Sequence, residues 1–235
     1  MDVHPLDRPI WNALNTGWRH LAQGEGRALR LDPTYGPFAA CVDDSPESLA
    51  ALAAFDPGET GLYMVETETF PAPSTMAAKP ALCVQMVAEH ALTEPPSFDY
   101  IPLAEADGAE MLALATLTRP GPFSICTHRF GGFIGVRRKG RLVAMAGTRI
   151  RVPGFAEVSG VCTHPDHRGQ GYAGGLMREA MVRILECGET PFLHAYASNT
   201  GAIRLYESLG FTIRREIVLT VLTESSGPDS ALGGL

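Results

Sequence analysis

The sequence lacks several features that would assign it to a class of protein at once. It contains no run of 18 apolar residues, so we expect no membrane-spanning helix. The first residues, MDVHPLDRPIW, lack a basic stretch followed by an apolar one, so no secretory signal is expected. The 19 lysines and arginines are outnumbered by 26 acidic residues and form no cluster. We therefore expect neither a membrane nor nucleic acid as a partner.

Cysteine is scarce, and its distribution indicates a reducing compartment. The five cysteines are odd in number, widely spaced and form no Cys-x-x-Cys pair. This pattern predicts reduced thiols and a cytoplasmic protein. Cys162, His164 and His167 have a spacing found at metal sites, but no fourth ligand follows, so no metal is expected.

The composition is that of an ordinary globular chain. Of 235 residues, 45% are hydrophobic and 19% are charged, which allows a large buried core. Helical and strand patterns alternate along the chain and predict an α/β (α+β) fold. In the first part, helices are expected over residues 11–22 and after the Ser45-Pro46 cap. Short buried strands are expected at GLYMVE (61–66) and ALCVQMVA (81–88), with a proline-rich loop between them.

A proline pair within residues 92–99 predicts a boundary in the chain. We expect an N-terminal α/β region over 1–95, a catalytic domain over 96–224 and a flexible tail over 225–235. In the second part, the pattern predicts strands and helices in regular order. These are two strands joined at Lys139-Gly140, a strand over 155–163, a helix ending at Gly188, a strand over 191–198, a helix closed by Gly210, and a last strand.

In the segment HPDHRGQGYAGGL, residues 164–176, Gly169, Gly171 and Gly174 have the spacing Gly-x-Gly-x-x-Gly. A dinucleotide-binding turn needs these glycines directly after a strand, and an acidic residue at the end of the next strand. Here four residues separate Gly169 from the preceding strand, and the next strand ends in Ala-Ser-Asn rather than in an acidic residue. A dinucleotide-binding turn is therefore not expected. No Gly-Lys-Ser/Thr follows, so a P-loop is excluded as well.

A third interpretation fits the segment. Arg168, Gly171 and Ala173 fill the pattern Arg/Gln-x-x-Gly-x-Gly/Ala, and residues 199–211 fit Asn-x-x-Ala-x-x-x-Tyr-x-x-x-Gly-Phe at every fixed position. Together they resemble the GNAT superfamily of acyl-CoA N-acyltransferases over residues 98–222. The resemblance implies a GNAT-type mixed central sheet flanked by helices, with acetyl-CoA as cosubstrate. The smaller N-terminal region is then interpreted as a degenerate GNAT-like half that could cover the acceptor site.

The resemblance also implies which residues bind the cosubstrate. The turn that opens the long helix would hold the pyrophosphate, since backbone N–H groups and the helix dipole favour an anion there. Two parallel strands would separate beside this turn and admit the pantetheine arm. The implied contacts are Val161, Cys162, Thr163, Arg168, Gly169, Gln170, Gly171, Tyr172, Ala173 and Asn199. Asn199 could equally cap the helix that follows it.

For catalysis, Tyr206 matches the family tyrosine that protonates the leaving thiolate. The alternative interpretation is that Tyr206 packs in the core together with Ala202, which lies on the same face of the helix. Glu157 is expected to be the general base, because strand alternation puts it on the same side as Val161 and Thr163. A solvated charge is the alternative for Glu157. His194 is a competing base, since histidine titrates near neutral pH, or a core histidine.

The acceptor is implied to be a primary amine of a small molecule or peptide that attacks directly in a ternary complex. Arg129 and Phe130, in the loop over residues 117–132, are the expected substrate contacts, together with His194. Cys162 is interpreted as a buried thiol rather than an acyl-carrying nucleophile. The rival function is a non-catalytic acyl-CoA sensor, and a homodimer is left open.

Overall fold

The computed structural model describes residues 4–90 and 95–225. Its α-helices are α1 (Pro9–Asn15), α2 (Pro46–Ala53), α3 (Gly108–Thr118), α4 (Tyr172–Glu186) and α5 (Thr200–Ser208). Its strands are β1 (Ala22–Gln23), β2 (Ala28–Leu31), β3 (Ala39–Cys41), β4 (Leu62–Glu66), β5 (Met76–Val87), β6 (Ile101–Pro102), β7 (Ile134–Arg138), β8 (Arg141–Val152), β9 (Phe155–Thr163), β10 (Thr190–Tyr196) and β11 (Thr212–Glu224).

Eight strands form one large sheet in the order β4-β11-β5-β10-β9-β8-β7-β6. Neighbours are antiparallel except β9 and β10, which are parallel. β5, from the N-terminal region, lies between β10 and β11 from the C-terminal part. The two regions predicted from sequence therefore share one sheet. Residues 91–94 of the predicted boundary and 226–235 of the predicted tail lie outside the described residues.

Local chemistry explains several element boundaries. The Ser45 side chain accepts a hydrogen bond from the Ser48 N–H, and Pro46 occupies the first turn, so α2 begins as predicted. Lys139 and Gly140 have φ of 50° and 80°, as a tight hairpin turn requires. α1 ends before Gly17, where a Cβ atom would lie 2.6 Å from the Arg151 carbonyl oxygen. The predicted helix over 11–22 is thus shortened, and a 3-10 turn at Arg19–Leu21 replaces its end.

Helices cover both faces of the large sheet. On one face, α1 packs on Ile150 and Phe192, and α3 packs on Cys162. On the other face, α4 packs on Val158 and Leu193. β1, β2 and β3 form a separate small sheet, which the sequence analysis did not predict. No helix in residues 4–90 and 95–225 is long and apolar enough to cross a membrane.

Candidate active site

β9 and β10 pair only over their first residues, where Phe155–Glu157 lie beside Thr190–Phe192. Beyond this point the strands separate, and a cleft of about 1220 Å³ lies between them. Backbone groups of residues 158–163 that face β10 consequently have no partner in the sheet. The predicted pair of parallel, separating strands is confirmed.

A β-bulge at Gly160 shapes the β9 side of this cleft. The β8–β9 register shifts between the Met145–Cys162 and Gly147–Ser159 pairs, and Gly160 has φ of 63°. A Cβ atom at Gly160 would also lie 2.8 Å from the Phe133 ring. The bulge reverses the strand alternation: Val161 packs towards α4, and Cys162 packs towards α3. The expectation that Glu157 shares a face with Val161 and Thr163 is therefore wrong, because it assumed an uninterrupted strand.

The turn before α4 forms a cradle, which we define as residues 168–173. Gly169 and Gly171 both have φ of 75°, and a Cβ atom on either would meet nothing within 4 Å. Positive φ, rather than crowding, accounts for glycine at both positions. The first helical bond joins the Gly175 N–H to the Gly171 carbonyl, so the preceding N–H groups of the helix lack helical partners. The cradle lines the cleft and offers these donors to an anion.

Side chains inside the cradle hold its shape. The Tyr172 ring is buried, and its hydroxyl accepts a hydrogen bond from Arg138 Nε at 2.9 Å. The same hydroxyl donates to Gln170 Oε1 at 2.8 Å. Tyr172 and Gln170 therefore stabilise the turn as well as lining the cleft.

α5 places Asn199 and Tyr206 along the opposite wall of the cleft. Asn199 Oδ1 accepts a hydrogen bond from the Ala202 N–H at 3.2 Å, so the capping interpretation of Asn199 is realised. The Tyr206 ring packs 6.3 Å from the Phe211 ring. Burial raises the pKa of Tyr206, which keeps its hydroxyl protonated and able to donate at neutral pH.

Glu157 lies behind the cleft in a buried ion pair. Its two carboxylate oxygens accept hydrogen bonds from Arg149 Nε at 2.9 Å and Nη2 at 3.0 Å. His194 Nδ1 lies 3.0 Å from Glu157 Oε1. Burial acts to raise the pKa of Glu157, but Arg149 and His194 prevail and lower it to about 2. Arg149 and His194 line the cleft, whereas Glu157 does not.

Gln85 of β5 fixes the tautomer of His194. Gln85 Oε1 accepts a hydrogen bond from Arg214 at 2.8 Å, and Nε2 donates to the Leu6 carbonyl at 2.8 Å, which sets the amide orientation. Nε2 of Gln85 also lies 3.1 Å from His194 Nε2, so this histidine nitrogen accepts. The hydrogen-bond network thus assigns the tautomer of His194 whose Nδ1–H donates to Glu157. Sequence reasoning missed Gln85 and Arg149, although a glutamine within the apolar run of ALCVQMVA was a visible signal.

The other predicted substrate contacts lie elsewhere. Arg129 pairs with Glu105 at 2.6 Å on the surface, and Phe130 stacks on Trp18 with ring centroids 5.3 Å apart. Neither residue lines the cleft. Burial raises the pKa of the Cys162 thiol to about 11, which disfavours a reactive thiolate.

The cleft continues to the α1 side of the sheet as a space with apolar walls. We call this space the acceptor chamber. Its walls are Phe38, Tyr63, Val65, Ile150, Ile217 and Leu219. Half of these residues come from the N-terminal region, and two come from β11. The N-terminal region therefore supplies part of the wall of this space.

Comparison with known proteins identifies the family. A crystal structure from Novosphingobium aromaticivorans, described as an acetyltransferase of the GNAT family, is 44% identical to this chain. The match covers 95% of this chain and 100% of that one, with a TM-score of 0.88. The chain belongs to the GNAT family. This GNAT protein also matches the model of the FR47-like protein family over residues 133–219.

Two further proteins are similar to this GNAT protein. A GCN5-related N-acetyltransferase from Kribbella flavida shares the fold, with a TM-score of 0.63 and 20% identity over 93% of this chain and 95% of that one. A mycothiol acetyltransferase from Corynebacterium aurimucosum is 38% identical over 65 residues, or 27% of this chain. The match spans only 21% of that relative. The protein is an acetyltransferase, and acetyl-CoA is the cosubstrate used by its family.

Proposed function

We propose that this acetyltransferase moves an acetyl group from acetyl-CoA to a primary amine of a small molecule or peptide, by direct attack in a ternary complex. One observation carries the proposal: a single cleft has the cradle on one side of the sheet and the acceptor chamber on the other. Donor and acceptor can therefore meet at the point where β9 and β10 separate, without a covalent enzyme intermediate. Five cysteines without a disulfide in the described chain are consistent with a cytoplasmic location.

The cradle fits a pyrophosphate on its own chemistry. It combines the unpaired N–H groups at the start of α4 with Arg168, and α4 is 15 residues long, so its dipole is fully developed. Unpaired backbone groups of Val161 and Thr163 would hydrogen-bond the pantetheine amides. Acetyl-CoA would supply the activated thioester, and the cradle and β9 would bind and orient it.

Two groups are proposed to assist the transfer. A backbone N–H at the bulge near Val161 would donate to the carbonyl oxygen as negative charge develops there. Tyr206 would donate a proton to the departing sulfur, and its raised pKa suits this task. Both residues line the cleft between the separating strands.

Glu157 is proposed as a positioning residue rather than the group that takes the amine proton. Its carboxylate is enclosed by Arg149 and His194 and does not line the cleft. His194 lines the cleft, but both of its ring nitrogens are engaged. We infer that the proton leaves the amine through water in the cleft, while Glu157 balances the Arg149 charge and orients His194.

A non-catalytic acyl-CoA sensor remains the rival function. It would use the cradle and Asn199 but would need neither the acceptor chamber nor Tyr206. Release of CoA that depends on an added amine supports the enzyme. Binding of acetyl-CoA without turnover by any of a panel of amines, amino acids and peptides would support the sensor.

The cradle is tested by replacing Gly171 with aspartate. The new carboxylate would lie among the N–H donors that bind the pyrophosphate, so the Kd for CoA should rise by about tenfold or more. Isothermal titration calorimetry with CoA measures this change. The fold should survive, because aspartate tolerates positive φ and an acidic residue suits a helix N-terminus.

Gly188 provides a matched control for this substitution. It follows the other end of α4, with φ of 74°, and a Cβ atom added there would meet nothing within 4 Å. Gly188→Asp therefore adds the same charge in a comparable backbone conformation but away from the cleft. Gly171→Asn separates the charge from the side-chain volume. Equal CoA affinity in Gly171→Asp and Gly188→Asp would overturn the proposed pyrophosphate site.

A further inference from the structure

The residues that line the cleft have an unusual balance of charge. None of the cleft-lining residues in the described chain is an aspartate or a glutamate. Three arginines line the cleft: Arg168 in the cradle, Arg149 at the chamber wall and Arg119 on the loop after α3. Arg149 is balanced by Glu157. The cleft therefore offers no carboxylate to a cationic ligand and carries excess positive charge.

Besides Arg168, which belongs to the cradle, Arg119 is the arginine of the cleft that has no ion-pair partner in the described chain. Its side chain forms no ion pair with any residue that the structure describes, and it is exposed at the cleft. Its backbone closes α3 with φ of 52°, a left-handed conformation in which glycine is the usual residue. An arginine thus occupies a position where residues other than glycine are uncommon.

The loop that carries Arg119 is attached to the acceptor side of the cleft. The carbonyl of Pro122, three residues later, accepts a hydrogen bond from Arg149 Nη1 at 3.5 Å. A Cβ atom on Gly121 would lie 4.0 Å from the same Arg149 nitrogen. Because Arg149 in turn lies 4.9 Å from the centre of the Phe38 ring, the loop borders the apolar walls of the chamber.

We propose that the acceptor is an amine that also carries a carboxylate and an apolar body, as apolar and aromatic amino acids do, and that Arg119 pairs with this carboxylate. The inference rests on the proposed N-acetyltransferase function and specifies its substrate class. The apolar walls, Tyr63 and Leu219 among them, would cover the side chain of the acceptor. A guanidinium binds a carboxylate through two parallel hydrogen bonds, which also fixes the direction of the amine. Diamines are disfavoured, since a second ammonium would find no carboxylate among the described residues that line the cleft.

The experiment compares three acceptors with the full-length protein and acetyl-CoA. They are L-phenylalanine, 2-phenylethylamine, which has the same body without the carboxylate, and 1,5-diaminopentane. We expect kcat/KM for phenylalanine to exceed that for phenylethylamine by about tenfold or more, the effect of one charge-assisted pair, with the diamine lowest. Arg119→Gln should remove this preference by lowering kcat/KM for phenylalanine alone. Arg119→Glu should reverse it.

Arg141→Gln is the matched control, because Arg141 is exposed on β8 and lies outside this cleft. It should leave all three values unchanged. Phenylethylamine used as well as phenylalanine by the unaltered protein would overturn the proposal. So would an Arg119→Gln variant whose KM rises for acetyl-CoA and not for phenylalanine, since Arg119 would then serve a phosphate of the cosubstrate.

Failure of this inference is distinguishable from failure of the proposed function. If CoA binds in calorimetry and none of the three acceptors is acetylated, the substrate class is wrong and the donor site stands. If CoA does not bind the unaltered protein, the proposed function itself fails. An unchanged Tm of the Arg119 variants would show that their lower kcat/KM for phenylalanine does not come from misfolding.

Discussion

Replacing Tyr206 with phenylalanine is expected to lower kcat by about 10²- to 10⁴-fold, the usual contribution of a general acid. The Kd for CoA should barely change, because the ring remains packed near Phe211. Thermal stability should also be retained, since burial alone accounts for the raised pKa of Tyr206 and no hydrogen bond of its hydroxyl is seen within the described chain. Loss of kcat with normal folding and normal binding would distinguish a catalytic hydroxyl from a core side chain.

Single-turnover measurements are needed here, so that product release does not mask the chemical step. Tyr100→Phe is the control. Tyr100 contacts the core cluster of β7 and β8 and does not line the cleft, so its loss of a hydroxyl should leave kcat unchanged. If Tyr206→Phe retains full activity while chemistry limits the rate, Tyr206 has only a packing role.

The elements of the second half of the chain could be predicted because their signals are local. The Lys139-Gly140 turn, the Gly188 and Gly210 helix ends and the glycine-rich entry to α4 depend on backbone preferences that a few residues determine. The two motifs around Gly171 and Tyr206 indicated the family, which the comparison confirms. Which residues bind CoA and the acceptor is still a prediction.

The parts that were missed depend on long-range contacts. Nothing in ALCVQMVA or in the last strand indicates that β5 lies between β10 and β11, because strand order is decided by packing of the whole chain. The bulge at Gly160 was not predicted, and the assumption of an uninterrupted strand gave the wrong face for Glu157. The partners of Glu157 come from β8 and β10, and no sequence spacing predicts that they converge.

Glu157→Gln should destabilise the protein strongly. The substitution is nearly isosteric but leaves the Arg149 side chain, which is 12% exposed at the cleft, without its counter-charge. Removing one partner of such a pair costs about 3–5 kcal/mol, which for a chain of this size lowers Tm by on the order of 10 °C. Differential scanning calorimetry at neutral pH measures the change. Glu186→Gln, an exposed glutamate on α4, should leave Tm nearly unchanged.

A double variant tests whether unbalanced charge is the cause. Glu157→Gln with Arg149→Met removes both charges and should recover part of the lost stability, since an apolar side chain can replace a buried ion pair. If the double variant is less stable than Glu157→Gln alone, the destabilisation comes from packing around residue 157 and not from the unpaired guanidinium.

The destabilisation should depend on pH in a defined direction. The pKa of Glu157 is lowered from 4.5 to about 2 in the folded protein, so its ionised form stabilises the fold fully above pH 4.5. This stabilisation is lost as the pH falls towards 2, where the carboxylate becomes protonated in the folded state too. The difference in unfolding free energy between the unaltered protein and Glu157→Gln should therefore be largest above about pH 5 and should shrink towards about pH 2. A difference independent of pH over this window would contradict an ionised, ion-paired Glu157.

The same variant decides how the amine loses its proton. At low pH kcat/KM should fall, which gives the pH profile an acidic limb. Because Glu157 is enclosed by Arg149 and His194, Glu157→Gln should retain this limb at the same pH. His194→Gln should retain the limb as well, since both ring nitrogens of His194 are engaged and the proton is proposed to leave through water. Profiles are compared at a temperature at which all the variants are folded, with one accepted amine. Disappearance of the limb in Glu157→Gln alone would make its carboxylate the direct base. Disappearance in His194→Gln alone would assign that task to the imidazole, with Gln85 moving aside to free Nε2.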